Sequence, residues 1–119
     1  MSHAEFSRKR KLNKPIEFKR VFKKPVVSSD HCFKVLARIN DKQYPRLGMA
    51  VSRQVDKRAV GRNRIKRVIR ESFRRCCPEG GPNLDIVVLP RRETATICNS
   101  RLSRSLQDHW SRLERQLEG

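Results

Sequence analysis

The stretch AVGRNRIKRVIRESF, residues 59–73, restricts the fold more than any other part of this chain. Placed on a helix at about 100° per residue, Ile65, Val68, Ile69, Ser72, Phe73 and Cys76 fall on one side. Asn63, Lys66, Arg67, Arg70 and Arg74 fall within roughly 100° of one another on a different side. The stretch is therefore an amphipathic helix with a core face and a basic face, and Pro78 with the following EGGP stops it.

Five of those fifteen residues are Arg or Lys. Solvated helix faces intersperse acids as i to i+4 partners, and here Glu71 stands almost alone. The bias extends to the whole chain, where 29 Lys plus Arg against 12 Asp plus Glu give a net charge of +17. An excess of that size points to a polyanion, of which nucleic acid is the commonest. A membrane surface is the rival, but there is no run of about 18 apolar residues and no lipidation signal. The N-terminal MSHAEFSRKRKLNK lacks the apolar centre of a secretory signal, so a cytoplasmic protein is expected.

At 119 residues the chain can hold one domain with a real core and need not rely on disulfides. Cys32, Cys76, Cys77 and Cys98 include no C-x-x-C pair, and no histidine stands at a finger-like spacing from them. They read as buried or idle thiols in a reducing compartment rather than as a metal site.

Residues 1–13, with RKRK at Arg8 to Lys11, read as a flexible basic arm preceding a single domain over 14–119. From Pro15 the pattern is helical through about Lys24, with Phe18, Val21 and Phe22 at helical spacing, and Pro25 ends it. HCFKVLARI, 31–39, alternates as a strand, with Phe33, Val35, Ala37 and Ile39 on one face and Lys34, Leu36 and Arg38 on the other. RLGMAVS, 46–52, reads as a second strand antiparallel to the first across the turn-rich NDKQYP. LDIVVL, 84–89, suits a strand covered on both sides. A last helix opens near Asn99 or Ser100 and carries Leu102, Leu106, Trp110, Leu113 and Leu117. The order helix, strand, strand, helix, strand, helix gives an α+β fold, a single-domain α–β layer structure.

Little in the sequence supports catalysis by the chain itself. No D-x-D, E-x-x-H or H-E-x-x-H is present, and Gly80–Gly81 lacks the Lys-Ser or Lys-Thr of a phosphate-binding loop. His3 lies in the arm, His31 opens a strand and His109 stands in the last helix between leucines and Trp110, so none is assigned a catalytic role. Binding needs only cations on a fixed scaffold and aromatic surfaces on which bases stack, and both are present.

RAVGRNRIKRVIRESFR, 58–74, resembles the signature of the bacterial ribonuclease P protein subunit, with Arg62, Asn63, Arg64, Lys66, Arg67, Arg70 and Phe73 in its positions. PIEFKRVFKK is similar to that family's first helix, PRLGMAVSRQV to the strand before the signature, and LDIVVLPRR to the strand after it. The resemblance implies an α–β sandwich in which the signature helix forms a left-handed βαβ crossover. Strand geometry alone favours the right-handed alternative.

The resemblance further implies a protein cofactor of an endoribonuclease that removes the 5′ leader of precursor tRNA. Catalysis and Mg²⁺ would reside in the RNA subunit and at its interface with substrate, with no cofactor held by the protein alone. The expected partners are one ribonuclease P RNA subunit per protein and the single-stranded leader, with no membrane. By position, Arg62, Asn63, Arg64, Lys66, Arg67, Arg70 and Arg74 would face the RNA subunit. Phe18 and Phe22, with Lys34, Leu36, Arg38, Ser52 and Arg53, would line the leader cleft. The competing readings are a general RNA-binding or ribosome-associated protein, a nuclease with its own active site, and a DNA-binding domain.

Overall fold

A computed structural model describes residues 10–42, 44–76 and 83–118. The elements are α1 (Pro15–Phe22), β1 (Val26–Ser29), β2 (Phe33–Ile39), β3 (Arg46–Met49), α2 (Ala59–Cys76), β4 (Leu84–Pro90), a 3-10 turn (Arg92–Thr96) and α3 (Asn99–Glu118). The order is α-β-β-β-α-β-α, with one strand more than expected, because VVSS directly after Pro25 pairs with β2.

The sheet runs β1-β2-β4-β3. β2 is antiparallel to β1 and β4, while β3 is parallel to β4. This corrects the expected antiparallel pairing of 46–52 with 31–39. Both edges of β2 are occupied, and Arg46 of β3 is held at β4 by a fork to Asp85, Nε to Oδ1 at 2.8 Å and Nη2 to Oδ2 at 2.7 Å. Charge-assisted, bidentate and buried, that contact fixes the register Arg46↔Asp85. The α2 helix thus connects adjacent parallel strands.

The two faces of the sheet are covered unequally. On one, Phe33, Val35, Ala37, Leu84, Ile86 and Val88 meet Ile65, Val68, Ile69 and Phe73 of α2 and Leu102, Leu106, Trp110 and Leu113 of α3. Burying such side chains stabilises by about 1.5–3 kcal/mol each, so this layer is the main core. Trp110 Nε1 donates to Ser72 Oγ at 2.8 Å and its ring meets Phe73 edge-on, which joins the two helices. Cys76, expected on the core side, is exposed in the last turn of α2. Cys32 is buried, and burial pushes its thiol up, leaving it an inert core residue.

Among the described residues, the opposite face is covered by α1 and by Leu12 just before it. Pro15 suits its first turn, and Glu17 Oε1 reaches back to the backbone N–H groups of Lys14 (3.2 Å) and Asn13 (3.3 Å). The second oxygen of Glu17 accepts from Arg46 Nη1 at 2.8 Å. Although burial opposes ionisation, those amides and Arg46 hold the Glu17 carboxyl below its ordinary value. One carboxylate therefore starts the helix and anchors it to the sheet.

Residues 10–12 are not loose. Leu12 N donates to Leu47 O at 2.8 Å, Arg10 Nε donates to Pro45 O at 3.2 Å, and the Arg10 guanidinium lies 4.9 Å from the Phe73 ring centroid. Residues 1–9 of the expected arm, with His3, lie outside the described residues, as do Cys77 and Gly80–Gly81.

Candidate nucleic-acid interface

Strand register sorts the α1 face of the sheet into three cross-strand rows. One holds Arg38, Asp85 and Arg46, the next Val27, Leu36, Val87 and Gly48, and the third Ser29, Lys34 and Leu89. The α1 helix covers the first two, with Val21 clustering with Leu12, Leu36 and Val87. The third row stays open. There Lys34, Ala50, Ser52, Gln54, Leu89 and Arg92 line a groove of about 590 Å³.

The aromatic residues of α1 stand beside this layer. Phe18 is half-buried against the Leu12–Val21–Leu36–Val87 cluster, and Phe22, one turn on, is 50% exposed. The groove offers the cations Lys34, Arg91 and Arg92 against one carboxylate, Glu93, with an apolar floor at Leu89 and a hydroxyl at Ser52. Such a lining suits a phosphodiester strand with unpaired bases.

Several residues expected in that cleft stand elsewhere. Leu36 is 4% exposed and belongs to the core beneath α1, so it offers no surface. Arg38 lies in the first row, where Nη1 donates to the carbonyls of Arg20 (2.9 Å) and Lys23 (3.1 Å) and closes the end of α1. Lys34 and Ser52 do line the groove, and Arg53 is exposed beside Ser52. Gln54, Arg91 and Arg92 were missed as lining residues. The signal was present in the Pro-Arg-Arg that ends β4. Arg91 is fixed by Nε to Asp30 O at 2.8 Å and Nη2 to Ser29 Oγ at 2.6 Å.

The basic face of α2 divides in the same way. Asn63, Arg67 and Arg70 are exposed, and Lys66 and Arg74 are half-exposed along the same side. Arg62 and Arg64 stand about 100° to either side of Asn63, on the shoulders of the helix. Arg62 Nη1 donates to Asp56 O and Lys57 O, each at 3.0 Å, tying down the loop that enters the helix. Arg64 donates to Thr94 O (2.9 Å), Ile97 O (3.1 Å) and Asn99 Oδ1 (2.7 Å). Two signature arginines are thus occupied with backbone around the face, while Asn63, Arg67 and Arg70 present theirs outward.

One constellation has the composition of a hydrolytic triad. His109 Nδ1 lies 2.6 Å from Ser28 Oγ, and Nε2 lies 3.1 Å from Asp30 Oδ2 without hydrogen-bond alignment. Both Ser28 and His109 are buried, so no substrate atom reaches the serine. Burial holds His109 below its ordinary pKa, and despite its own burial Asp30 is held far below by Ser105 and the amides of Phe33 and Cys32. The group packs α3 on the sheet. Among the described residues no three His, Cys, Asp or Glu are placed to hold a metal ion.

Comparison with known proteins identifies the family. The family model described as Ribonuclease P matches residues 6–114. A ribonuclease P protein component from Methylococcus capsulatus is 43% identical over 114 residues, covering 96% of this chain and 88% of that one. The RNase P protein of Staphylococcus aureus superposes with a TM-score of 0.78 at 29% identity, over 88% of this chain and 94% of that chain. That of Thermotoga maritima superposes with a TM-score of 0.73 at 31% identity, over 86% and 96%. On the match over nearly its whole length, the chain belongs to the ribonuclease P protein family.

Proposed function

We propose that this protein is the cofactor of a ribonuclease P holoenzyme, binding the catalytic RNA subunit one to one and the 5′ leader of precursor tRNA. The observation that carries the reading is the pairing of an outward cation face on α2 with a groove between cations that α1 leaves open on the sheet. Asn63, Lys66, Arg67, Arg70 and Arg74 meet the RNA subunit, with Arg62 and Arg64 shaping the surface around them. Arginine suits this contact because its planar fork clamps a phosphate bidentately and stacks on bases.

The leader follows the groove, its phosphates near Lys34 and Arg92 and its bases against Phe18 and Phe22. Stacking is worth roughly 1–3 kcal/mol per base and accepts any base, which a variable leader requires. The protein raises substrate affinity and offsets repulsion between two RNAs. Mg²⁺ and the chemical step belong to the RNA subunit, and the chain supplies no catalytic residue. No helix among the described residues is long and apolar enough to cross a membrane, and the cytoplasm, where precursor tRNA is processed, is the proposed location.

The test is cleavage of a precursor tRNA at low Mg²⁺ by protein alone, by a bacterial ribonuclease P RNA alone, and by the two together. Cleavage at the mature 5′ end that the mixture alone sustains is expected. Cleavage by the protein alone, or no stimulation by it, would contradict the reading.

A further inference from the structure

At the end of the sheet opposite the groove, the last turn of α1, the 23–24 corner and β2 enclose a second hollow of about 550 Å³. Arg20, Lys23, Lys24 and Arg38 line it. Of the two lining carboxylates, Asp85 is taken up by Arg46, which leaves Asp41 alone against four cations. Among the described residues, no carboxylate lies within ion-pair distance of those four. Like charges brought together from three segments repel one another until an anion joins them.

Two further observations fit an anion. A helix C-terminus is negative and would oppose one, but Arg38 Nη1 lies on the carbonyls of Arg20 and Lys23 and neutralises that end of α1. Lys24 has φ of 59°, in the left-handed region where glycine is favoured. A lysine there carries backbone strain, and strained residues gather at ligand sites. Ile39, 63% exposed on the rim, gives a base an apolar surface beside the cations.

We propose that this hollow is a second RNA phosphate site, which holds a phosphodiester of a strand lying beyond α1 from the groove. The inference rests on the RNA-binding function proposed above. Two strands carry the same chemistry: leader nucleotides upstream of those in the groove, and a strand of the RNA subunit.

The test uses the double variant Lys23→Gln/Lys24→Gly in the reconstituted RNA–protein complex. Glycine relieves the backbone at position 24, so the variant keeps or gains thermal stability, which separates weakened binding from a weakened fold. Precursor tRNAs with a long leader and with a leader of a few nucleotides are titrated across a salt series, and RNA-subunit affinity is measured in parallel. Binding should weaken at least about threefold, and the slope of log K on log salt should become shallower by about 0.7 for each phosphate that the variant no longer neutralises. Loss confined to the long leader assigns the site to the upstream leader, and loss of RNA-subunit affinity with both leaders equal assigns it to the RNA subunit. Unchanged affinities and slopes throughout would overturn the site. Failure of the wild-type complex to bind precursor tRNA would instead overturn the function on which it rests.

Discussion

The Phe18 ring occupies space that exists because residue 48 is glycine: a Cβ there would sit 2.8 Å from Phe18 Cζ and 2.9 Å from Leu12 Cβ. The position of the Phe18 ring on the α1 face of the sheet is therefore set from β3. Leu12 cannot yield, because its amide is tied to Leu47.

Gly48→Ala is accordingly expected to destabilise the fold by about 1–3 kcal/mol, as overfilled cores do, and to displace Phe18. Urea unfolding reads the first effect. Leader affinity of the folded variant reads the second, and it should fall while RNA-subunit affinity holds.

Arg64 and Arg67 are neighbours in the signature but should differ in consequence. Arg64→Ala strips hydrogen bonds from the 94–99 segment and should cost about 2 kcal/mol of stability. Arg67→Ala, on the exposed face, should change stability by less than about 0.5 kcal/mol and still weaken RNA-subunit binding. Chemical denaturation of the two proteins side by side distinguishes them. Equal stabilities would contradict a structural role for Arg64.

That difference marks how far the sequence could be read. Pattern made α2, α3 and β4 legible, because residues such as Ile65, Val68 and Leu102 repeat over several turns and β4 is a nearly continuous apolar run broken only by Asp85. β1 was illegible, since four residues after a proline are too few for a period to show. The pairing of β3 was misread because a short link usually means a hairpin, and the contact that decides otherwise joins residues 46 and 85. In the site, charge was legible and direction was not. Nothing in the sequence shows that Leu36 lies under α1, that Arg38 closes a helix, or that Arg64 reaches α3.

Stability should fall with acidification in a defined window. Burial keeps His109 neutral in the folded state, with Asp30 and Asp108 favouring its protonation and Arg112 opposing it. The unfolded chain takes up this proton below about pH 6.5, so it binds more protons than the folded one and stability declines from there, by at most about 1.4 kcal/mol per pH unit. Asp30, held low in the fold, contributes stability that is complete above its unfolded value near 3.9 and lost as pH falls further. Thermal unfolding from pH 7.5 to 5 should show the first decline, and His109→Gln should flatten it.

The central claim is that leader and RNA subunit meet different surfaces of one small domain. It is tested most directly by measuring, for wild type, Phe18→Ala and Arg70→Ala, the affinity for the RNA subunit and the affinity of the assembled complex for precursor and mature tRNA. Phe18→Ala should weaken precursor binding by about fivefold or more, as loss of one stacked base implies, with RNA-subunit and mature-tRNA affinities unchanged. Arg70→Ala should weaken RNA-subunit binding alone. Parallel loss of both affinities in each variant would contradict the division of surfaces.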